Sequence, residues 1–146
     1  MKRVIVAILA IASSTFAVAD EVECLAKNIY WEARNQSIQG MYAVADVTLN
    51  RVSDKRWPST VCTVVKQRKR GICQFSWYCD GKSDIPKTKA VYNLCTLIAY
   101  ASLYSKGAPV VPENVYWYHA ESVSPYWADA YRHHATIGDH RFYAEK

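Results

Sequence analysis

The residue best suited to perform chemistry is Glu32, a carboxylate that directly follows two large aromatic residues near the predicted end of a helix. The negative end of the helix dipole disfavours an ionised carboxylate, and Tyr30 and Trp31 would raise the pKa of Glu32 further if they desolvate it. A carboxyl group that stays protonated near neutral pH can act as a general acid. The alternative is a surface glutamate that pairs with Arg34 or Lys27.

Periodic patterns predict the elements that must hold this acid. Apolar residues spaced for one helical face predict a first helix up to Asn35, a second from Gly40, a short third after Pro58 and a longest helix between Pro86 and Gly107. The aromatic segment 72–79 is typical of a strand or an irregular hairpin arm, and 115–119 alternates like a strand. Residues 136–143 predict a hairpin. The fold class is therefore α+β, mainly helical, with a small β-hairpin region.

The first nineteen residues are typical of a signal peptide. Lys2 and Arg3 precede a short apolar stretch, and a small-residue cleavage site ends at Ala19. Removing them leaves 16 basic and 13 acidic residues, a formal charge of +3. This mild charge argues against nucleic acid as a partner. We expect residues 20–146 to form one exported domain, periplasmic or secreted, monomeric and without stable membrane insertion; an uncleaved anchor is the alternative.

All five cysteines follow the predicted cleavage site, and export makes disulfides the expectation. Cys73 and Cys79 are close enough to close a small loop, whereas Cys24 could pair with Cys62 or with Cys95. The shortest gap between cysteines has five intervening residues, which is unlike a zinc site. The histidines match no metal-ligand pattern either, so we expect no metal and no cofactor.

Six segments carry a resemblance to a known family. In order and spacing, the chain is similar to the SleB/CwlJ-type cell wall hydrolases over CLAKNIYWEAR, AVADVTLNRV, RWPSTVCTVV, CQFSWYCDG, YWYHAESVSPYWA and IGDHRFY. The resemblance implies a lysozyme-like fold, peptidoglycan as the substrate and Glu32 as the catalytic acid. It also implies cleavage between N-acetylmuramic acid and N-acetylglucosamine, commonly by lytic transglycosylation.

The chain departs from the family pattern directly after the acid, where EARGE becomes EARNQ and Gln36 replaces a second glutamate. Hydrolytic glycosidases normally use two carboxylates, and Asp46, Asp54 and Asp80 are unconvincing partners for Glu32. A transglycosylase needs one carboxyl group, so this layout favours transglycosylation over a hydrolytic muramidase. A disulfide-stapled peptidoglycan-binding module without catalysis is the alternative from another class.

The remaining candidates are predicted to bind substrate. Gln74 and Ser76 are short polar residues that could bond the acetamido groups of the sugars, although internal hydrogen bonding is equally expected. Tyr116, Tyr118 and His119 could line the groove, with a structural role as the alternative for the histidine.

Overall fold

Helix α1 (Ala7–Ala33) is the central element of the fold in a computed structural model that describes residues 7–105 and 107–146. Its inner face buries Leu25, Ala26 and Ile29 completely, as the apolar spacing predicts. The helix ends at Ala33, two residues before the predicted stop at Asn35. Glu32 therefore lies in the last turn of α1, where the sequence places it.

Three further helices pack around α1, and polar side chains cap two of them. Helix α2 (Ile38–Ser53) starts after Ser37, whose hydroxyl accepts the Gly40 N–H at 3.2 Å. Helix α3 (Val61–Val65) begins with a capping box formed by Thr60 and Thr63. Helix α4 (Lys89–Tyr104) buries Cys95, Ile98 and Ala99. These helices match the predicted ones, and their apolar faces form one shared core.

The larger of the two sheets has three strands and forms the C-terminal part of the domain. Strands β3 (Val115–Ala120), β4 (Arg132–Ile137) and β5 (His140–Ala144) are antiparallel in the order β3-β5-β4, and a 3-10 helix (Ala128–Ala130) precedes β4. Tyr118 pairs with Phe142 across β3 and β5. The predicted hairpin around Gly138 and Asp139 is confirmed, and so is the α+β, mainly helical fold class.

The segment 72–79 is less extended than predicted. Strands β1 (Arg68–Lys69) and β2 (Ile72–Cys73) form a two-residue ladder, after which Ser76–Cys79 turns into a 3-10 helix. The physical reason is the Cys73–Cys79 disulfide, whose Cα atoms are only 6.1 Å apart. Six residues in an extended arm would span about 20 Å, so this cross-link excludes a strand of that length.

Both disulfides correspond to pairings that the sequence suggests. Cys24 of α1 is bonded to Cys62 of α3, with a Cα separation of 5.2 Å, rather than to Cys95. Cys95 is a free, buried thiol, and burial raises its pKa to about 11. A thiol with such a pKa stays protonated and unreactive at neutral pH.

The predicted signal peptide, residues 1–19, lies partly outside the described residues. Residues 7–19 form the first part of α1, and the helix continues through the predicted cleavage point after Ala19. Among the described residues, no helix combines the length and the apolar character needed to cross a membrane.

Candidate active site

Glu32 opens onto a cleft of about 400 Å³ between the end of α1 and the sheet. Three parts of the chain form its walls: the loop after α1, the end of β3 with the residues that follow, and the β4–β5 turn. The lining residues are Glu32, Asn35, Gln36, Ala120, Glu121, Ser122, Asp139 and His140. The cleft therefore combines several polar groups around one partly exposed carboxyl group.

One hydrogen bond from the sheet orients the acid. The Tyr118 hydroxyl donates to Glu32 Oε2 at 2.9 Å, although the two residues are 86 positions apart. Burial raises the pKa of Glu32, while the Tyr118 hydrogen bond and the charge of Arg51 lower it to a smaller extent. The carboxyl group is thus biased toward its protonated form and already has a partner that stabilises the ionised form.

The aromatic residues next to Glu32 in sequence have other roles. Tyr30 is buried, and its hydroxyl accepts the N–H groups of Lys87 and Thr88, both at 3.1 Å, at the start of α4. Trp31 stacks against Trp77 at 6.5 Å. The sequence therefore predicts the direction of the Glu32 pKa shift correctly, but the aromatic residue that contacts the carboxyl group is Tyr118.

The alternative of a paired surface glutamate does not apply to Glu32. Lys27 forms its ion pair with Glu23 at 2.7 Å. The Arg34 guanidinium lies over Trp31, 4.9 Å from the centroid of the ring. No ion pair within the described residues involves Glu32.

A buried polar network fixes α1 one helical turn before the acid. The Asn28 amide donates to Thr48 Oγ1 at 3.1 Å, and Trp77 Nε1 donates to Asn28 Oδ1 at 3.0 Å. The Thr48 hydroxyl in turn donates to the Val44 carbonyl at 3.0 Å. Satisfied buried networks of this kind make a packing arrangement unique. The network joins α1, α2 and the 3-10 helix Ser76–Cys79, and so restricts the direction of the Glu32 side chain.

Gln36, which replaces the family's second glutamate, closes one side of the cleft. Its Nε2 donates to Asp139 Oδ2 at 3.1 Å, and its Oε1 accepts the Asp139 N–H at 3.0 Å. A glutamate here would lack the donor and would repel the Asp139 carboxylate. The neighbouring Gly138 has a φ of 58°, and a Cβ at this position would collide with Gln36 Oε1. We call the two hydrogen bonds between Gln36 and Asp139 the Gln36–Asp139 latch.

Of the residues predicted to bind substrate, only Tyr118 forms a hydrogen bond with Glu32 among the described residues. Gln74 and Ser76 are exposed on either side of the buried Phe75, and neither lines the Glu32 cleft. The Gln74 N–H donates to the Gln67 carbonyl at 2.9 Å. The structure therefore places these two residues on the surface, outside the cleft itself.

Neither Tyr116 nor His119 lines the cleft. Tyr116 is buried against Trp57, with the ring centroids 4.9 Å apart. The ring nitrogens of His119 lie 2.8 Å from the Ala120 carbonyl and 2.8 Å from the Tyr143 hydroxyl, and its ring stacks on Tyr143. These contacts correspond to the structural alternative for the histidine.

The acidic residues weighed as partners of Glu32 are engaged elsewhere. Asp46 accepts the Val110 N–H at 2.6 Å, Asp54 is bound by Arg56, and Asp80 accepts the Lys82 N–H in a turn. None of the three lines the cleft. Glu121 was not among the predicted site residues, but it lines the cleft and follows β3 directly. Glu121 belongs to the YWYHAESVSPYWA segment that carries the family resemblance, and this membership was the available signal.

Two more residues near the acid were missed. His140 lines the cleft, is only 7% exposed, and has a pKa lowered by burial. Arg51 is buried in the last turn of α2 and acts electrostatically on Glu32. The sequence carried a signal for its burial, which is the helical spacing. Thr48 and Arg51 follow Val44 by four and seven residues, so all three lie on the same buried face of α2.

A larger cleft of about 480 Å³ lies beside the Cys24–Cys62 disulfide and does not include Glu32. It mixes carboxylates with lysines around Trp77. Size alone does not make it the active site, because it lacks a desolvated acid in contact with an orienting donor. No cluster of three potential metal ligands occurs among the described residues.

Comparisons with known proteins agree with this architecture. The family model described as Cell Wall Hydrolase matches residues 35–143, so Glu32 lies three residues before the matched segment. The catalytic domain of the germination-specific lytic transglycosylase SleB from Bacillus anthracis has a TM-score of 0.65 at 23% identity, with 84% of this chain and 93% of that chain covered. The catalytic domain of the Bacillus cereus SleB protein has a TM-score of 0.64 at 24% identity, covering 86% and 90%. No curated protein matches the sequence. The two structural matches confirm the predicted lysozyme-like fold.

Proposed function

The chain belongs to the cell wall hydrolase family, and on that premise we propose that it cleaves peptidoglycan glycan strands with Glu32 as the general acid. The scissile bond joins N-acetylmuramic acid to N-acetylglucosamine, as the resemblance implies. The observation that carries the proposal is the Glu32 carboxyl group, which has a raised pKa and lies in an open cleft under the Tyr118 hydroxyl.

The reaction that fits this site best is lytic transglycosylation. Glu32 gives its proton to the glycosidic oxygen as the bond from that oxygen to the muramic acid C1 breaks. The C6 hydroxyl of the same muramic acid then attacks C1 and returns its proton to Glu32, which yields a 1,6-anhydro end. One carboxyl group serves both steps, and the structurally similar Bacillus anthracis protein is itself a lytic transglycosylase.

Glu121 supports hydrolysis as the second candidate reaction. Its carboxylate lines the same cleft, and its N–H donates to the Asp139 carbonyl at 2.8 Å, which fixes the backbone of this residue beside the latch. A second carboxylate can activate a water molecule or stabilise the positive charge that develops on the sugar. In that case water attacks C1 and the product carries a reducing end.

The export of the enzyme follows from its substrate, because peptidoglycan lies outside the cytoplasm. The disulfides support an oxidising compartment. Residues 1–19 act as the signal peptide, and residues 20–146 act as one monomeric domain in the periplasm or the medium.

The test is product release from purified sacculi by the wild type and by Glu32→Gln. The variant keeps the volume of the side chain but has no proton to give, and it should lose about a hundredfold or more in rate. Glu32→Asp shortens the reach by one methylene and should also fail. Glu23→Gln is the matched control, because Glu23 lies on the same helix, is exposed and is paired with Lys27.

Mass spectrometry of the products separates the alternatives. Anhydro ends, lighter by one water, indicate transglycosylation, and reducing ends that disappear in Glu121→Gln indicate hydrolysis with Glu121 as the base. Near-normal turnover by Glu32→Gln would overturn the assignment of the acid. If the wild type binds sacculi and releases nothing, the chain is a binding module instead.

A further inference from the structure

The positive charge of the chain is concentrated in one short hairpin, residues 66–72, which we call the basic hairpin. It contains no acidic residue and four cations, which are Lys66, Arg68, Lys69 and Arg70. Of the 16 basic residues that follow Ala19, only 12 lie elsewhere in the chain, against 13 acidic residues. The excess positive charge after the predicted cleavage point therefore comes entirely from the basic hairpin. We propose that this hairpin docks the protein on an anionic phospholipid surface.

The basic hairpin is anchored at both ends by buried residues. Val65, at the end of α3, is buried directly before it, and Cys73 is buried directly after it. Strands β1 and β2 pair between these ends, with Lys69 opposite Ile72. The cations are therefore held outside the core on a short hydrogen-bonded projection.

The four cations of the basic hairpin are available to an external partner. All four residues are exposed. The ion pairs of the described residues join other side chains, so none of the four charges is neutralised by an acid of the described chain. A cluster of exposed, unpaired cations attracts anionic surfaces.

The tip of the hairpin carries a cation where arginine is an unusual choice. Arg70 has a φ of 53° and Gly71 a φ of 82°, so both residues lie in the left-handed region. This is the pattern of a two-residue hairpin turn, in which asparagine, aspartate and glycine are preferred at the first position. An arginine is costlier there because of its Cβ. Turn geometry therefore does not explain the cation at the tip, whereas an external anionic partner does.

Ile72 favours a membrane over a soluble polyanion as this partner. Its side chain is 71% exposed. Ile72 and Lys69 are opposite each other in the ladder, and opposite residues of antiparallel strands project from the same face. An apolar side chain gains nothing from a polyanion in water, but it can enter the boundary between headgroups and acyl chains while adjacent cations attract the phosphates.

The position of the predicted leader also favours a membrane. Lys66, at the base of the basic hairpin, and Asp20 line the same cleft of about 480 Å³. Asp20 directly follows the predicted cleavage point, and the Cys24–Cys62 disulfide joins this part of α1 to α3. The apolar leader therefore meets the domain beside the hairpin. Until it is cleaved, a leader in the membrane would turn this side of the domain toward the lipid headgroups.

The experiment measures co-sedimentation of the exported protein with vesicles of phosphatidylcholine, either alone or mixed with phosphatidylglycerol. N-terminal sequencing records whether the leader is attached, and all variants are compared in the same form. The wild type should bind the anionic vesicles more tightly than the neutral ones, and salt should weaken this binding. Arg68→Gln/Lys69→Gln/Arg70→Gln should bind the anionic vesicles about a hundredfold more weakly, since each cation near the surface contributes roughly a factor of five. Equal binding of the wild type to both kinds of vesicle would refute the docking.

The matched control is Lys89→Gln/Arg132→Gln/Arg141→Gln, which also removes one lysine and two arginines. All three residues are exposed, and none belongs to an ion pair of the described residues. This variant should bind anionic vesicles nearly as well as the wild type. Equal losses in the two triple variants would contradict the proposal, because binding would then follow net charge alone.

Ile72→Ser tests the lipid as the source of the phosphate. It should weaken binding to anionic vesicles about tenfold, while retention on immobilised polyphosphate stays unchanged. Vesicle binding that this variant leaves intact would rule out a membrane as the partner.

Purified sacculi, which contain no phospholipid, separate this docking from the proposed reaction. The hairpin variant should bind them and release muropeptides as the wild type does. A loss of sacculus binding as large as the loss on vesicles would overturn the proposal, because the hairpin would then hold the wall polymer. Normal turnover by Glu32→Gln would instead overturn the proposed function and leave the vesicle result unaffected.

Discussion

Removing the Tyr118 hydroxyl should change how the enzyme responds to pH. Tyr118→Phe keeps the ring, which packs 5.5 Å from Phe142 and 5.3 Å from His140 between centroids, and deletes only the donor to Glu32 Oε2. The ionised carboxylate loses more from this deletion than the neutral acid does. The pKa of Glu32 should therefore rise further in the variant.

The size of the effect follows from hydrogen-bond energetics. A hydrogen bond to a charged group contributes about 1.5–3 kcal/mol and one between neutral groups about 1 kcal/mol. The difference is about 0.5–2 kcal/mol, which centres on about one pKa unit. Because the acid must be protonated to react, activity should persist to a pH about one unit higher. The maximal rate should fall by about tenfold, since the carboxylate formed in the first step loses the same stabilisation.

The assay is muropeptide release from sacculi measured from acidic to alkaline pH. Tyr116→Phe is the matched control, because Tyr116 lies on the same strand and packs against Trp57 rather than Glu32. The reasoning would be refuted if the alkaline limb of the Tyr118→Phe profile stayed in place or moved to lower pH.

Two further predictions concern stability. Burial raises the pKa of Glu32, so the folded protein binds its proton more tightly than the unfolded chain does, and ionisation of Glu32 destabilises the fold as pH rises. Thermal unfolding should therefore show that Glu32→Gln is more stable than the wild type above the pKa of folded Glu32. This gain should vanish below about pH 4, because the acid is then protonated in the unfolded chain as well. A gain that is independent of pH would contradict this prediction. Gly138→Ala should cost about 1–2 kcal/mol from its φ of 58° alone, and more from the collision with Gln36. Urea unfolding should therefore show a smaller loss for Gly138→Ala in a Gln36→Ala background, whereas equal losses would disprove the close contact in the latch.

Much of the framework was predictable because local interactions decide it. Ser59 and Thr60 after Pro58 predict the start of α3, and the structure adds the capping box at Thr60. The wide apolar face of 86–107 predicts α4, and Gly138 with Asp139 predicts the β4–β5 turn. Each of these signals acts over a few residues, so the sequence alone carries it.

The site was predictable only at its centre. The sequence by itself determined that Glu32 ends an amphipathic helix, that it belongs to a family pattern, and that Cys24 and Cys73 have plausible disulfide partners. Only the tertiary structure decided which groups surround the acid, and it selected Tyr118 from 86 positions away, the buried Arg51 and the second carboxylate of Glu121. The reason is that helix periodicity turns consecutive residues about 100° apart. Tyr30 thus binds the start of α4 and Trp31 stacks on Trp77, while a residue of β3 bonds Glu32. The pKa of a carboxyl group depends on the atoms within a few ångströms of it, and here the return of the chain through β3 brings those atoms to it.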